Sequence, residues 1–182
     1  MHIRFFLAFL FTLPLVACGG GGGDLSCEPT WNGIVGTCLP EGWRMVEPSV
    51  LKERGVPGEV IAAYQAEESL SGYYPTVTTT REFLTGDEMA AEYSESSIAS
   101  VKVLPGYKLL DKRPVTIDGD KVFIHVFQAQ PDTEESVYRF YQLSTRVKDT
   151  GYTFTVAVPL SITETLENKI LSILDHVTFE EK

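Results

Sequence analysis

The sequence predicts an α+β fold in which one twisted antiparallel sheet is packed with helices. Three observations carry that expectation. Several β-rich runs follow one another through tight turns, and tight turns demand antiparallel pairing. Two helical patterns, each behind a capping signal, interrupt or close the run of strands. The cleanest alternation, Tyr152-Thr153-Phe154-Thr155-Val156-Ala157-Val158, puts Tyr152, Phe154, Val156 and Val158 on one face and the threonines with Ala157 on the other, a strand with one buried side.

The N-terminus sets the context. Arg4 precedes an apolar run, Phe5 to Ala17, that is too short to span a bilayer as a stable helix. It ends in Leu15-Val16-Ala17-Cys18, which reads as a lipobox, the sequence at which a cysteine receives diacylglycerol and the chain is cut just before it. An ordinary secretory signal is the alternative reading. The expected organisation is a lipoprotein signal peptide over 1–17, lipidated Cys18 with a glycine-rich tether over 18–26, a disulfide-clipped loop over 27–38, and one α+β domain over 39–182. Gly19 to Gly23 make the tether flexible. The address is the cell envelope, outside the cytoplasm. Gly19 is not the aspartate that commonly keeps lipoproteins on the inner membrane, which favours the outer one where there are two.

About 165 residues remain after the cut, enough for one domain with a core. Lys and Arg number 15 against 25 Asp and Glu, a net charge of −10, and loss of Arg4 makes the mature chain more acidic still. Such a surface repels nucleic acid and anionic headgroups, so the lipid has to hold the protein to the membrane. Clusters such as Glu67-Glu68 and Glu180-Glu181 read as solvated surface. Cys27 and Cys38 remain as an even pair in an exported chain, and a bridge between them is expected. In the chain-entropy picture it contributes roughly 3 kcal/mol. Two cysteines with no nearby histidine make a poor zinc site.

Along the domain, Leu39-Pro40-Glu41-Gly42-Trp43 opens the fold, Val60 to Ala66 reads as a strand, and Pro75 to Phe83, dense in threonine, as another. Thr85-Gly86-Asp87-Glu88 is a capping box, and the helix that it starts would carry Met89, Tyr93, Ser97 and Val101 as its apolar stripe, ending by Pro105-Gly106. Asp118-Gly119 joins Pro114-Val115-Thr116-Ile117 to Val122-Phe123-Ile124-His125-Val126-Phe127 as a hairpin turn, because both central positions must accept positive φ. The second of those strands is apolar on both faces and so expected inside the sheet. Val137 to Val147 is a further strand, Asp149-Thr150-Gly151 the turn after it, and Ser161-Ile162-Thr163-Glu164 a second capping box. Leu166, Ile170, Ile173, Leu174 and Val177 then give a closing helix that covers the sheet.

This order resembles the PsbP-like family, the PsbP/Mog type that many small bacterial envelope lipoproteins also share. The resemblance is carried by Leu39-Pro40-Glu41-Gly42-Trp43, a helix followed by Pro105-Gly106-Tyr107, Val115-Thr116-Ile117-Asp118-Gly119-Asp120 before an apolar strand, the tyrosine-rich Tyr138 to Tyr141, and a last helix ending in Val177-Thr178-Phe179. It covers about residues 39–180 and implies a non-enzymatic domain that binds or supports partner proteins. No binding motif of the family matches here, and the 27–38 loop departs from its pattern.

Chemistry is sparse. His125 sits between Phe123 and Phe127 and reads as a core histidine; His176, near the end of the last helix, faces the negative end of its dipole. Neither belongs to a metal-ligand spacing or a nucleophile motif. Asp118 and Asp120 flank a turn glycine but lack the further ligands of a calcium loop. No cofactor, metal site or catalytic set is expected. Tyr73 and Tyr74, with Tyr138 and Tyr141, form a candidate interaction surface, since tyrosine suits interfaces with one wet end. The leading expectation is a lipid-anchored binding or accessory module that presents a sheet surface to another envelope protein. The alternative is a carrier of a small apolar ligand between sheet and helix, in a cavity lined by Met89, Tyr93 and the Phe154 face.

Overall fold

The structure, a computed structural model, describes residues 27–70, 72–132 and 136–181. The signal peptide, Cys18 and the glycine tether therefore lie outside the described residues. The chain forms β1 (Cys27–Trp31), β2 (Gly36–Pro40), β3 (Trp43–Met45), α1 (Pro48–Glu53), β4 (Val60–Ala66), β5 (Thr76–Phe83), α2 (Ala90–Val101), β6 (Lys108–Ile117), β7 (Asp120–Ala129), β8 (Tyr138–Val147), β9 (Thr150–Pro159) and α3 (Glu164–Asp175). Strands β3 to β9 make one antiparallel sheet in the order β3-β4-β5-β9-β8-β7-β6. It is an α+β fold, with α2 on one face and α3 with the β1–β2 hairpin on the other. Among the described residues no helix is long and apolar enough to cross a membrane.

Two meanders meet at the β5–β9 seam. The first is β3 to β5; the second, β6 to β9, returns toward it, so α2 must carry the chain from β5 to the far edge. On the way it packs mainly on β7 and β8 and reaches β5 and β9 only through Tyr93, leaving most of that side of β5 and β9 open. The Asp118-Gly119 turn forms as its composition demands, with φ of 47° and 97°. The β8–β9 turn lies one step earlier than expected. Val147 pairs with Thr150, so Lys148-Asp149 turn the chain and Gly151 is already in β9. Gly151 is glycine for a different reason: a Cβ there would sit 2.5 Å from the Tyr93 ring and hydroxyl.

The segment over 27–38, expected as a loop, is an antiparallel hairpin. Asn32-Gly33 turns it, with Asn32 Oδ1 accepting from the Ile34 and Val35 amides and Gly33 at φ 94°. A disulfide joins Cys27 to Cys38, Cα atoms 5.3 Å apart. An isolated two-stranded ribbon is marginal in water. This one is held down by Thr37, whose hydroxyl donates to the Ile173 carbonyl, and by paired backbone bonds between Gly36 and Thr178.

The main core lies on the α3 face. Val77, Ile124, Tyr141, Leu143, Phe154 and Val156 of the sheet meet Ile170, Ile173 and Leu174 of α3 and Val35 and Leu39 of the hairpin. Burying each aliphatic side chain there contributes about 2 kcal/mol. Both helix starts are displaced from the sequence reading. Thr163, not Ser161, caps α3, its hydroxyl accepting from the Leu166 amide. Helix α2 begins at Ala90, where Glu92 reaches back to the Met89 amide at 2.8 Å. The start moves beyond the Thr85 box and the stripe rotates: Ala90, Tyr93, Ser94 and Ile98 are buried, while Met89 is 66% exposed.

Candidate functional site: an open hydroxyl-rich sheet face

Alternation along each strand decides what the second face of the sheet presents. Opposite the core it carries Arg44 on β3, Gln65 on β4, Thr76, Thr78, Thr80 and Glu82 on β5, Thr153 and Thr155 on β9, and Gln142 and Ser144 on β8, placed by the cross-strand registers. The β5 and β9 threonines stay half-buried because α2 lies over β7 and β8. Thr78 donates to the Thr155 carbonyl and Thr80 to the Thr153 carbonyl, at 3.2 and 3.4 Å. Each of these hydroxyl oxygens keeps acceptor capacity for an outside donor.

Under α2 the hydroxyls link into a chain. Tyr93 donates to Glu82 at 2.7 Å and meets Thr153 Oγ1 at 3.4 Å; Thr153 meets Ser144 at 3.0 Å, and Ser144 meets Ser97 at 2.7 Å. Burial, with Glu82 beside it, pushes the Tyr93 phenol up to about 12, so it stays a neutral donor. An open concavity of about 410 Å³ lies over this chain, lined among others by Thr80, Glu82, Tyr93, Gln142 and Thr155. The groups offered are hydrogen-bonding hydroxyls, a carboxamide and one carboxylate, an arrangement suited to docking polar surface.

Neither histidine joins this groove. His125, on β7, is wholly buried beside Phe127, with ring centroids 4.6 Å apart, and Tyr107 Oη lies 3.0 Å from its Nε2. Burial lowers its pKa to about 4, with Lys102 and Lys112 adding to the fall and the Gln142 carboxamide opposing it. His125 Nδ1 and Gln142 Oε1 are nevertheless both buried without a hydrogen bond of ordinary geometry. His176 caps the end of α3 and contacts the Ser172 carbonyl through Nδ1 at 2.7 Å. Asp118 accepts from the Thr178 hydroxyl and the Phe179 amide, at 2.6 Å each, fastening the C-terminal segment to the β6–β7 turn. Among the described residues no group of three His, Cys, Asp or Glu side chains could hold a metal ion.

The predicted tyrosine surface is reduced to three members. Tyr141 is wholly buried on the core side, where its hydroxyl donates to Glu167 at 2.9 Å; it pairs with Val156, so alternation turns it inward. Tyr138 and Tyr73 are half-buried, close enough for Tyr138 to act electrically on the Tyr73 phenol, and Tyr73 donates to the Ala157 carbonyl at 2.6 Å. Tyr74 is 49% exposed. The expected ligand cavity is not formed as described. Tyr93 lies on the α2 face and Phe154 on the α3 face, on opposite sides of one sheet, and the Phe154 side is filled by core residues.

Sequence reasoning missed the threonine ladder, because β5 and β9 are far apart in the chain. It also missed a concavity of about 480 Å³ at the β3–β4 end, lined by Arg44, Arg54, Gln65, Ala66, Glu67 and Tyr74. Neither arginine belongs to any recognisable motif.

Neither a family model nor a curated protein matches this sequence. Solved structures do match in fold. LpqN of Mycobacterium tuberculosis, which is involved in cell envelope biogenesis, aligns with a TM-score of 0.58 at 15% identity over 86% of each chain. The cyanobacterial PsbP of Synechocystis, CyanoP, aligns at 0.54 and 13% over 92% of this chain and 99% of that one. A Pseudomonas aeruginosa protein of unknown function aligns at 0.53 and 15%, over 77% and 88%. At these identities the likeness is one of fold. The molecule is thus an α+β protein with a PsbP-like fold.

Proposed function

We propose that this chain is a lipid-anchored, extracytoplasmic accessory module without catalysis, which docks another envelope protein on the open face of β5 and β9. The observation that carries the reading is the half-buried threonine ladder that α2 leaves uncovered, ending in Tyr73, Tyr74 and Tyr138. Such a face binds polar surface through hydroxyls and aromatic edges. The lipobox at Cys18 would hold the folded domain to a membrane, the outer one where there are two, and Gly19 to Gly23 would give it reach. The Cys27–Cys38 bridge suits an oxidising compartment. The role of LpqN in envelope biogenesis, on a similar fold, is in keeping with this.

The test is crosslinking in the native cell, with partners identified by mass spectrometry, for the natural chain beside Cys18→Ala. One dominant envelope protein, recovered with the natural chain and lost with the variant, is the expected result. Equal recovery with both would remove the anchor from the account, and no partner with either would overturn the docking role. A second reading as an apolar-ligand carrier has no observation in its favour.

A further inference from the structure

We infer that the concavity at the β3–β4 end is a binding site for a phosphate group. Arg44 on β3 and Arg54 at the end of α1 line one concavity of about 480 Å³ with Gln65, Glu67 and Tyr74. Among the other described arginines, Arg113 bonds Asp111, Arg139 pairs with Glu167 and Arg146 donates to the Glu88 carbonyl, whereas exposed Arg81 on β5 has no such side-chain partner. The guanidinium groups of Arg44 and Arg54 have neither an ion pair nor a hydrogen bond among the described residues. In a chain with 25 carboxylate side chains against 15 cations, two unpaired arginines lining the same concavity concentrate positive charge at one place.

Two like charges lining one concavity repel each other, and an anion between them relieves the repulsion. Planar guanidinium forks match oxyanions two-pronged, and a phosphate, with more charge and more oxygens than a carboxylate, can engage both forks at once. Gln65 is turned to the same side, its amide donating to Thr76 at 3.3 Å, while half-exposed Tyr74 offers a phenol at the rim. Glu67 is the one opposing charge, and it sets the direction of a control variant. A membrane headgroup and a soluble phosphate ester share this chemistry. The site shares Tyr74 and one side of the sheet with the proposed docking face, but phosphate binding needs no docked protein and is tested without one.

The full chain in a neutral detergent is titrated calorimetrically at low salt with inorganic phosphate, and separately with dihexanoyl phosphatidic acid below its micelle concentration. Binding is expected, weakened about tenfold by Arg44→Ala and by Arg54→Ala and tightened about threefold by Glu67→Gln. Arg54→Lys keeps the charge but loses the fork, and should fall between. A stronger response to the lipid analogue assigns the headgroup; phosphate binding as well or better assigns the soluble source. No heat from either ligand at millimolar concentration overturns the inference, as does binding that both arginine variants leave unchanged. Because both arginines are exposed, unchanged melting of the variants is expected and separates loss of binding from loss of folding.

Discussion

His125 is held neutral by its surroundings, and that has a consequence for stability. Its folded pKa is about 4, with burial the first cause, against an unfolded value near 6.5. Above the unfolded value both states carry a neutral ring and nothing is lost. Between about 6.5 and 4 the unfolded state binds the extra proton, so stability falls as pH falls through that window. The loss approaches about 3 kcal/mol at its lower end. Asp175, exposed at the end of α3 but partly desolvated by its surroundings, acts in the opposite sense, since that desolvation raises its pKa and the folded state holds its proton more readily. Denaturant unfolding at pH 7 and pH 5 should show the fall in the natural chain and a smaller one in His125→Phe. Equal slopes in both would contradict the assignment. Gly151 makes a second test at this scale. Gly151→Ala drives a methyl into the Tyr93 ring at 2.5 Å, and overpacking of this kind costs about 2 kcal/mol. Truncating Tyr93 in the same chain should recover part of that, since the two sites couple. Additive losses in the double-variant cycle would show that the contact is not the cause.

The β1–β2 hairpin shows what one element needs in order to exist. Its bridge closes a short loop, and the Cys27→Ser/Cys38→Ser variant should lose about 3 kcal/mol, read from the denaturant midpoint. No loss would mean that docking on α3 through Thr37 holds the hairpin unaided. How legible each element was depended on how local its cause is. Asp118-Gly119 could be read because two adjacent residues must both take positive φ. The bridge could be read from two cysteines in an exported chain, and α3 from the 3.6-residue spacing of its apolar side chains. The Asn32-Gly33 hairpin carried the same kind of turn signal, but it sat inside a segment already assigned as a loop. Lys148 turns the β8–β9 connection at φ 57°, unusual for a residue with a Cβ, so the glycine nearby attracted the turn assignment. The α2 start moved because Glu92 completes a cap on the Met89 backbone, which side-chain type at the cap position does not announce.

At the scale of the molecule, the candidate site was the least legible part, and for a physical reason. The threonines of β5 and β9 are ordinary strand residues in sequence; only their adjacency makes a ladder, and only the path of α2 leaves it open. Arg44 on β3 and Arg54 just after α1 come from different parts of the chain and share only the lining of one concavity. Tyr73, Tyr74 and Tyr138 are visible as aromatics; alternation puts Tyr141 on the face opposite Tyr138, but large residues on both faces of the strand do not say which one is core. The fold class itself rested on turn and periodicity signals that span the whole domain, and it is the one the structure has.

The central claim is that the open β5–β9 face docks an envelope protein. The most direct measurement places a photo-crosslinking side chain in turn at Thr78 and Thr155 on that face, and at Glu53 on α1 as a control, in the natural chain inside its own cell. The account predicts one shared crosslinked partner from Thr78 and Thr155 and none from Glu53. Crosslinks from Glu53 alone, or no partner from either threonine, would contradict it.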